Sequence, residues 1–107
     1  MSFRFPDARR MAADMFREPG DGRRIKQAWG NRCAYCGKSA KTLQLDHVTP
    51  VHTGGLSLTV NLVPACEECN RSKGTRHWRV WMLEQRYDPN LFLARYLSAQ
   101  RRLLGRS

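Results

Sequence analysis

The chain has 107 residues and a mass of 12.4 kDa, a size that fits one domain with a modest core. Nineteen Lys and Arg against nine Asp and Glu give a formal net charge of +10. A charged fraction of 26% beside 41% hydrophobic residues excludes a disordered basic tail. From Arg71 onward nine basic residues stand against two acidic ones. The charge favours a polyanionic partner, but alone it leaves open whether this surface contacts phosphate or only aids solubility.

Membrane insertion and secretion are both disfavoured. No apolar run approaches the roughly 20 residues of a membrane span, and MSFRFPDARR leads into charged sequence rather than the apolar centre of a signal peptide. We therefore expect an intracellular protein. In a reducing compartment, two Cys-x-x-Cys pairs favour metal ligation over disulfides. A thioredoxin-type redox pair is the weaker alternative, since one such motif would suffice and the βαβ pattern around it is missing.

The first third of the chain predicts two helices and a tight turn. Residues 6–17 carry apolar side chains at helical spacing before the turn EPGDG, and residues 23–29 predict a shorter helix stopped by Gly30. The stretch CAYCGK, residues 33–38, is typical of a metal knuckle, in which Gly37 lets the backbone turn and exposes amides to the sulfurs.

The middle of the chain predicts two strands and the start of a helix. Residues 42–48 alternate with period two, so Asp46 and His47 point to opposite faces unless the strand ends or bulges there. Gly54 and Gly55 mark a loop before a second extended run at 62–65. Residues 66–71 then suit the start of a short helix that ends at Gly74.

The last third predicts two more helices. Residues 75–86 form the first, in which Trp78 and Trp81 are expected to pack beneath the cysteine motifs. Asp88 and Pro89 provide the N-cap and first position of the second helix. Its apolar stripe is predicted to face the core and consists of Phe92, Tyr96, Ala99 and Leu103.

Four cysteine thiolates predict a structural zinc site. The pairs Cys33–Cys36 and Cys66–Cys69 are separated by 30 positions, a gap that a hairpin with a loop can span. Four sulfurs complete the tetrahedral coordination of Zn²⁺ and leave no position for water. Any hydrolytic chemistry must therefore come from other residues.

The residues around these cysteines read DHVTPVHTGG at 46–55, NLVPAC at 61–66 and CEECNRSKG at 66–74. This succession resembles the HNH endonuclease family of the ββα-metal (His-Me finger) fold, in its zinc-stapled four-cysteine form with Asn at the last motif position. The resemblance covers residues 33–74. It implies an α+β fold with a ββα-metal core flanked by N- and C-terminal helices. We expect a single domain, 1–107, with a helical extension at 1–30, the core at 33–74 and basic helices at 75–107.

The same resemblance assigns roles to individual residues. It makes His47 the general base, Asp46 and Asn70 the ligands of one catalytic divalent ion, and Asn61 the residue that ties the loop and orients the base. Carboxylate and amide oxygens are hard ligands, so Mg²⁺ or Mn²⁺ is expected there rather than Zn²⁺. Three basic residues are expected to contact phosphate, or else to be simply solvated: Arg71, Lys73 and Arg76.

The function that the resemblance implies is hydrolysis of DNA phosphodiester bonds, leaving a 5′-phosphate and a 3′-hydroxyl. The alternative is a non-catalytic zinc module that binds nucleic acid. So small a chain has limited surface for reading a long DNA site, so a homodimer or a larger protein partner is a candidate source of specificity. The roles of two histidines are left open. His52 is either a loop residue or a substrate contact, and His77 belongs to a stretch of basic and aromatic residues that could face DNA.

Overall fold

The computed structural model describes residues 21–50 and 59–105, which form four helices and a two-stranded sheet. In chain order the elements are α1 (Asp21–Ala28), β1 (Gln44–His47), a 3₁₀ turn (Thr59–Asn61), β2 (Leu62–Ala65), α2 (Glu67–Lys73), α3 (Trp78–Glu84) and α4 (Pro89–Leu104). The α+β fold predicted from the sequence is thus confirmed. The helix predicted at 6–17, His52 and the Gly54-Gly55 loop lie outside the described residues.

The sheet is a short antiparallel hairpin. Its register pairs Gln44 with Ala65 at one end and His47 with Leu62 at the other. All four residues of β2 are buried, as expected for an uninterrupted apolar run covered on both faces. α1 packs against β2, and α2 packs against β1. Each strand of the hairpin therefore contacts a different helix.

Pro64 explains how the cysteine knuckle is attached to this hairpin. Proline has no backbone N–H and is confined to strand edges, and here it lies in β2 opposite Leu45. Its carbonyl accepts a hydrogen bond of 2.8 Å from the backbone N–H of Ala34. The knuckle thus lies along the outer edge of β2.

The helix boundaries follow the capping signals in the sequence. At the start of α4, the Asp88 carboxylate accepts hydrogen bonds from the backbone N–H groups of Asn90 and Leu91, and Pro89 is the first residue of the helix, as predicted. α3 is shorter than expected, because Gly74 adopts a positive φ of 54° and the chain turns before His77 caps the helix. Residues 74–77 are therefore a turn rather than the first turn of the helix.

Aromatic rings join the C-terminal helices to the knuckle. The ring of Tyr35 lies edge-on to Trp81 at a centroid distance of 5.2 Å and stacks on Phe92 at 5.4 Å. Phe92 also stacks on Trp29 at 5.8 Å. Trp81 and Phe92 are almost fully buried, which confirms the predicted core positions in α3 and α4. Arg102 of α4 donates a hydrogen bond of 2.7 Å to the carbonyl of Ala28 at the end of α1.

None of the helices within the described ranges combines the length and the apolar character that a membrane span requires.

Candidate functional site

The four cysteine side chains converge on one point. Two come from the knuckle, which is closed by hydrogen bonds from Cys33 N to Lys38 O and from Gly37 N to Cys33 O. Gly37 has a φ of 78°, a conformation that favours glycine. The other two come from the N-cap and first turn of α2. The knuckle and the helix are further linked by an exposed ion pair of 3.2 Å between Lys38 and Glu68.

The arrangement fits zinc. All four sulfur atoms lie within 4.8 Å of one another, and the Sγ atoms of Cys36 and Cys66 are 3.9 Å apart. Tetrahedral zinc with bonds of about 2.3 Å places its sulfur ligands roughly 3.8 Å apart. A zinc ion held by these four sulfurs would have all its positions filled by protein, which is the pattern of a structural rather than a catalytic site.

The pKa values of the clustered cysteines also favour a bound metal ion. A hydrogen bond from the Cys69 thiol lowers the pKa of Cys33 to about 4. The pKa of Cys69 is raised, first by its hydrogen bond to Cys33 and then by burial, and burial is the main cause of the raised pKa of Cys36. A thiolate at one position thus disfavours ionisation of the other thiols in the cluster. A bound divalent cation would offset this repulsion and allow all four thiols to ionise.

Asp46 lies in a buried polar cluster. Tyr35 Oη donates a hydrogen bond of 2.6 Å to Asp46 Oδ2, and Lys73 Nζ lies 3.0 Å from the same oxygen. The Lys73 side chain is fully buried and the Asp46 side chain is 9% exposed. Burial and the neighbouring Asp46 carboxylate raise the pKa of Tyr35 well above its ordinary value, so its hydroxyl remains a donor at neutral pH.

Lys73 requires a correction. Sequence reasoning placed it on the surface, either as a phosphate contact or as a solvated residue, whereas lysine is fully buried only when it is paired. Here its ammonium group is bound to Asp46 and also donates a hydrogen bond of 3.0 Å to the carbonyl of His47. The fold therefore uses Lys73 inside the protein rather than on a DNA-facing surface.

Asn61 holds the chain directly after β1. Its side-chain oxygen accepts a hydrogen bond of 2.9 Å from Thr49 N, and its side-chain nitrogen donates one of 3.0 Å to Thr49 O. Its own carbonyl accepts from Val48 N at 2.9 Å. These bonds extend the hairpin ladder beyond the pair His47–Leu62 and limit the movement of the backbone that carries His47.

Asn70 faces β1 from α2. Its side-chain nitrogen donates to Gln44 Oε1, so its side-chain oxygen is not used in that bond. Gln44 and Asp46 are two positions apart on β1 and share one face of the strand. The structure therefore brings Asn70, Lys73 and Asp46 together on that face, whereas the alternation of the strand directs the half-buried His47 to the other.

The other two predicted phosphate contacts are exposed. Arg71 pairs with Glu67 at 3.2 Å, one helical turn away, and Arg76 pairs with Glu84. Surface ion pairs of this kind are weak and exchange readily with other anions. His77 caps α3, its Nδ1 accepting from Arg79 N, and its ring stacks on Trp78.

Comparison with known proteins identifies the part of the chain that carries these residues. Residues 33–80 match the sequence model of a family described as HNH endonuclease. The matched segment is similar to HNH endonucleases. It contains the knuckle, both strands, α2 and the first residues of α3. The resemblance identified from the sequence motifs is thus confirmed.

Three curated proteins are similar to the HNH segment. The chain is 44% identical over 55 residues to the CRISPR-associated endonuclease Cas9 of Actinomyces naeslundii. It is 36% identical over 53 residues to the Cas9 of Corynebacterium diphtheriae, and 32% identical over 62 residues to the protein ea31 of Escherichia phage lambda. These alignments cover 49%, 47% and 56% of this chain but only 5%, 5% and 21% of the relatives. The likeness is therefore one of a nuclease segment and does not extend to whole proteins.

Sequence reasoning predicted the cysteine cluster but missed Tyr35. This residue lies between Cys33 and Cys36, where the knuckle pattern leaves any residue possible. A large aromatic residue between the two cysteines was a signal that the side chain is buried. Its hydrogen bond to Asp46, 11 positions away, depends on tertiary packing that no local pattern encodes.

Proposed function

We propose that the protein is a metal-dependent endonuclease that hydrolyses DNA phosphodiester bonds. The observation that carries this proposal is the HNH family match over residues 33–80, together with a β1–β2–α2 arrangement in which Asp46 and Asn70 share one face of the strand. His47 is the proposed general base. The ligands proposed for one catalytic divalent ion are Asp46 and Asn70, and Asn61 is proposed to orient the base.

The donor atoms suit a hard divalent cation. Both contacts to the Asp46 carboxylate go to Oδ2, and the Asn70 amide is held through its nitrogen, which leaves one oxygen of each side chain for a metal. Oxygen ligands favour Mg²⁺ or Mn²⁺. When bound, such an ion supplies stabilisation of the negative charge that develops on the phosphate and on the departing oxygen.

His47 is proposed to generate the nucleophile. A neutral imidazole, with an ordinary pKa of about 6.5, accepts a proton from water at neutral pH. The water oxygen then attacks phosphorus, the bond from phosphorus to the 3′ oxygen breaks, and the departing 3′ oxygen takes up a proton from solvent, leaving a 5′-phosphate and a 3′-hydroxyl. The backbone of His47 is held by Lys73 at its own carbonyl and by Asn61 two residues further on. This support holds the backbone that carries the base, on the face of the strand opposite the proposed metal ligands.

DNA is the proposed partner because the chain carries a net charge of +10, concentrated beyond Arg71. Arg71 and Arg76 are the proposed phosphate contacts. The small surface favours a homodimer or a larger protein as the source of sequence specificity. Four cysteines without disulfides suit a reducing intracellular compartment.

The test is cleavage of supercoiled plasmid by zinc-loaded protein with added Mg²⁺ or Mn²⁺, beside a folded His47→Ala variant and an EDTA control. Cleavage by the parent protein and not by the variant supports the proposal. A competing function, a zinc module that binds nucleic acid without cutting it, is favoured by the internal neutralisation of Asp46 by Lys73. DNA binding without cleavage by either protein, under conditions where a known HNH nuclease cuts, would favour that alternative.

A further inference from the structure

The zinc knuckle and the proposed catalytic carboxylate are in direct contact. Tyr35 lies between the zinc ligands Cys33 and Cys36, and its hydroxyl reaches Asp46 Oδ2 at 2.6 Å. The ring is 4% exposed and is held between Trp81 and Phe92. Packing of the ring against these two neighbours therefore fixes the position of the hydroxyl.

A second contact reaches the same oxygen from the other half of the cysteine cluster. Lys73 belongs to α2, the helix that begins at Cys66 and carries Cys69, and its Nζ lies 3.0 Å from Asp46 Oδ2. Both elements that supply sulfur atoms therefore also supply a donor to Asp46. Within residues 21–50 and 59–105, Asp46 Oδ1 has no hydrogen-bond partner.

We propose that Tyr35 is a positioning residue that couples the two metal centres. Zinc fixes the knuckle, the Tyr35 hydroxyl fixes the Asp46 carboxylate through Oδ2, and Oδ1 is presented to the divalent ion. This inference rests on the proposed function, since it assumes that Asp46 is a ligand. Groups that hydrogen-bond a metal ligand orient it and reduce the cost of ordering it when the ion binds, and their loss typically weakens metal affinity by about 10- to 100-fold.

A positioning role for Tyr35 can be distinguished from a purely structural one with two matched variants. Replacing Tyr35 by Phe keeps the ring between Trp81 and Phe92 and removes only the oxygen atom. The matched control is Tyr96→Phe, because Tyr96 donates a hydrogen bond of the same length, 2.6 Å, to the carbonyl of Val60. Both variants lose one hydroxyl, but only the first loses a contact to Asp46.

The first experiment titrates Mn²⁺ into full-length, zinc-loaded protein and measures free Mn²⁺ by electron paramagnetic resonance. We expect Tyr35→Phe to weaken Mn²⁺ binding by about tenfold or more with unchanged zinc content, Tyr96→Phe to bind like the parent, and Asn70→Ala, which removes the other proposed ligand, to weaken Mn²⁺ binding as well. Cleavage by Tyr35→Phe should return to the parental rate at saturating Mn²⁺. Equal affinity in Tyr35→Phe and the parent overturns the inference, whereas a parent protein that binds no Mn²⁺ overturns the proposed metal site itself.

A second experiment avoids mutation of the knuckle. Cadmium is substituted for zinc, and the ¹¹³Cd resonance is followed while Mg²⁺ is added to the parent protein and to Asn70→Ala. Coupling is reciprocal between two binding sites, so Mg²⁺ should shift the cadmium resonance of the parent, and Asn70→Ala should need a higher Mg²⁺ concentration for the same shift. A cadmium resonance that does not move while Mg²⁺ binds to the parent contradicts the coupling, even if Tyr35→Phe proves unable to fold.

Discussion

Lys73 Nζ lies 3.0 Å from Asp46 Oδ2 in the interior of the protein, where the two side chains are 0% and 9% exposed. Each charged group can be buried because the opposite charge lies beside it and compensates for the loss of water. Removing one partner leaves an uncompensated charge away from water, which is far more costly than the pair itself is stabilising.

Replacing Lys73 by Met should therefore destabilise the protein strongly. We expect a loss of about 3–5 kcal/mol in the free energy of unfolding, measured by urea denaturation of zinc-loaded protein. The control is Arg71→Met, which breaks the exposed pair with Glu67 and should cost less than about 1 kcal/mol. Similar stabilities for the two variants would show that the ion pair is not buried as described.

Zinc should be required for folding. Cys66→Ser removes one of four converging ligands, and the remaining three sulfurs cannot close the tetrahedron, so zinc content and helical circular dichroism should fall together. Glu68→Gln, an exposed change on the same helix, serves as the control and should retain one zinc per chain. A folded, zinc-free and active Cys66→Ser protein would contradict the structural role of the site.

Asn61→Ala should reduce the cleavage rate while the protein remains folded. The substitution removes both side-chain hydrogen bonds to Thr49 and loosens the backbone beyond His47, so we expect the cleavage rate to fall by about 100-fold with roughly 1–3 kcal/mol lost in stability. Mn²⁺ affinity should not change. Asn90→Ala, an exposed residue of α4, is the matched control. Parental activity in Asn61→Ala would show that Asn61 does not orient the base.

Asn70→Ala should lower activity while zinc binding and folding persist. The variant loses the second proposed ligand, and we expect metal affinity to fall by about 10- to 100-fold. Gln44→Ala tests the contact between Gln44 and Asn70, because it removes the acceptor that holds the Asn70 nitrogen. It should lower metal affinity less than Asn70→Ala does. Full activity of Asn70→Ala at limiting Mg²⁺ would exclude Asn70 as a ligand.

Tyr35 should make the protein less stable in alkali. Its pKa is raised in the folded state above the ordinary value of about 10, so its contribution is complete below pH 10 and is lost as the pH rises toward the folded value. In that range the unfolded chain releases a proton that the folded protein keeps, and stability falls by up to about 1.4 kcal/mol per pH unit. Comparison of unfolding free energies at pH 9 to 11.5 should give a shallower slope for Tyr35→Phe. Parallel slopes would contradict a raised pKa.

The elements predicted most accurately from the sequence are those that local chemistry dictates. The second strand was predicted at its observed bounds, and Asp88 with Pro89 marked the start of α4. The cysteine spacing indicated a metal cluster because the ligands in each pair are only three positions apart. Each of these signals lies within a few residues of the structure that it specifies.

The parts that sequence reasoning missed depend on contacts between distant residues. Lys73 and Asp46 are 27 positions apart, and nothing near Lys73 in the sequence indicates that its charge is neutralised in the interior. Tyr35 is likewise placed by rings from α3 and α4. The start of α3 was predicted too early because the helical spacing of Trp78 and Trp81 indicates a helix but not its first residue, whereas the positive φ of Gly74 ends one helix and delays the next.

The contact between Arg102 and Ala28 joins positions 74 residues apart, and α1 and α4 pack along each other. During synthesis on the ribosome, α1 emerges long before the surface that it packs against has been made. The hairpin, the knuckle and α2 involve much shorter separations and are free to assemble first around zinc. The order of translation thus favours a metal-bound nucleus formed early, with α1 and α4 packing together only after α4 has been made.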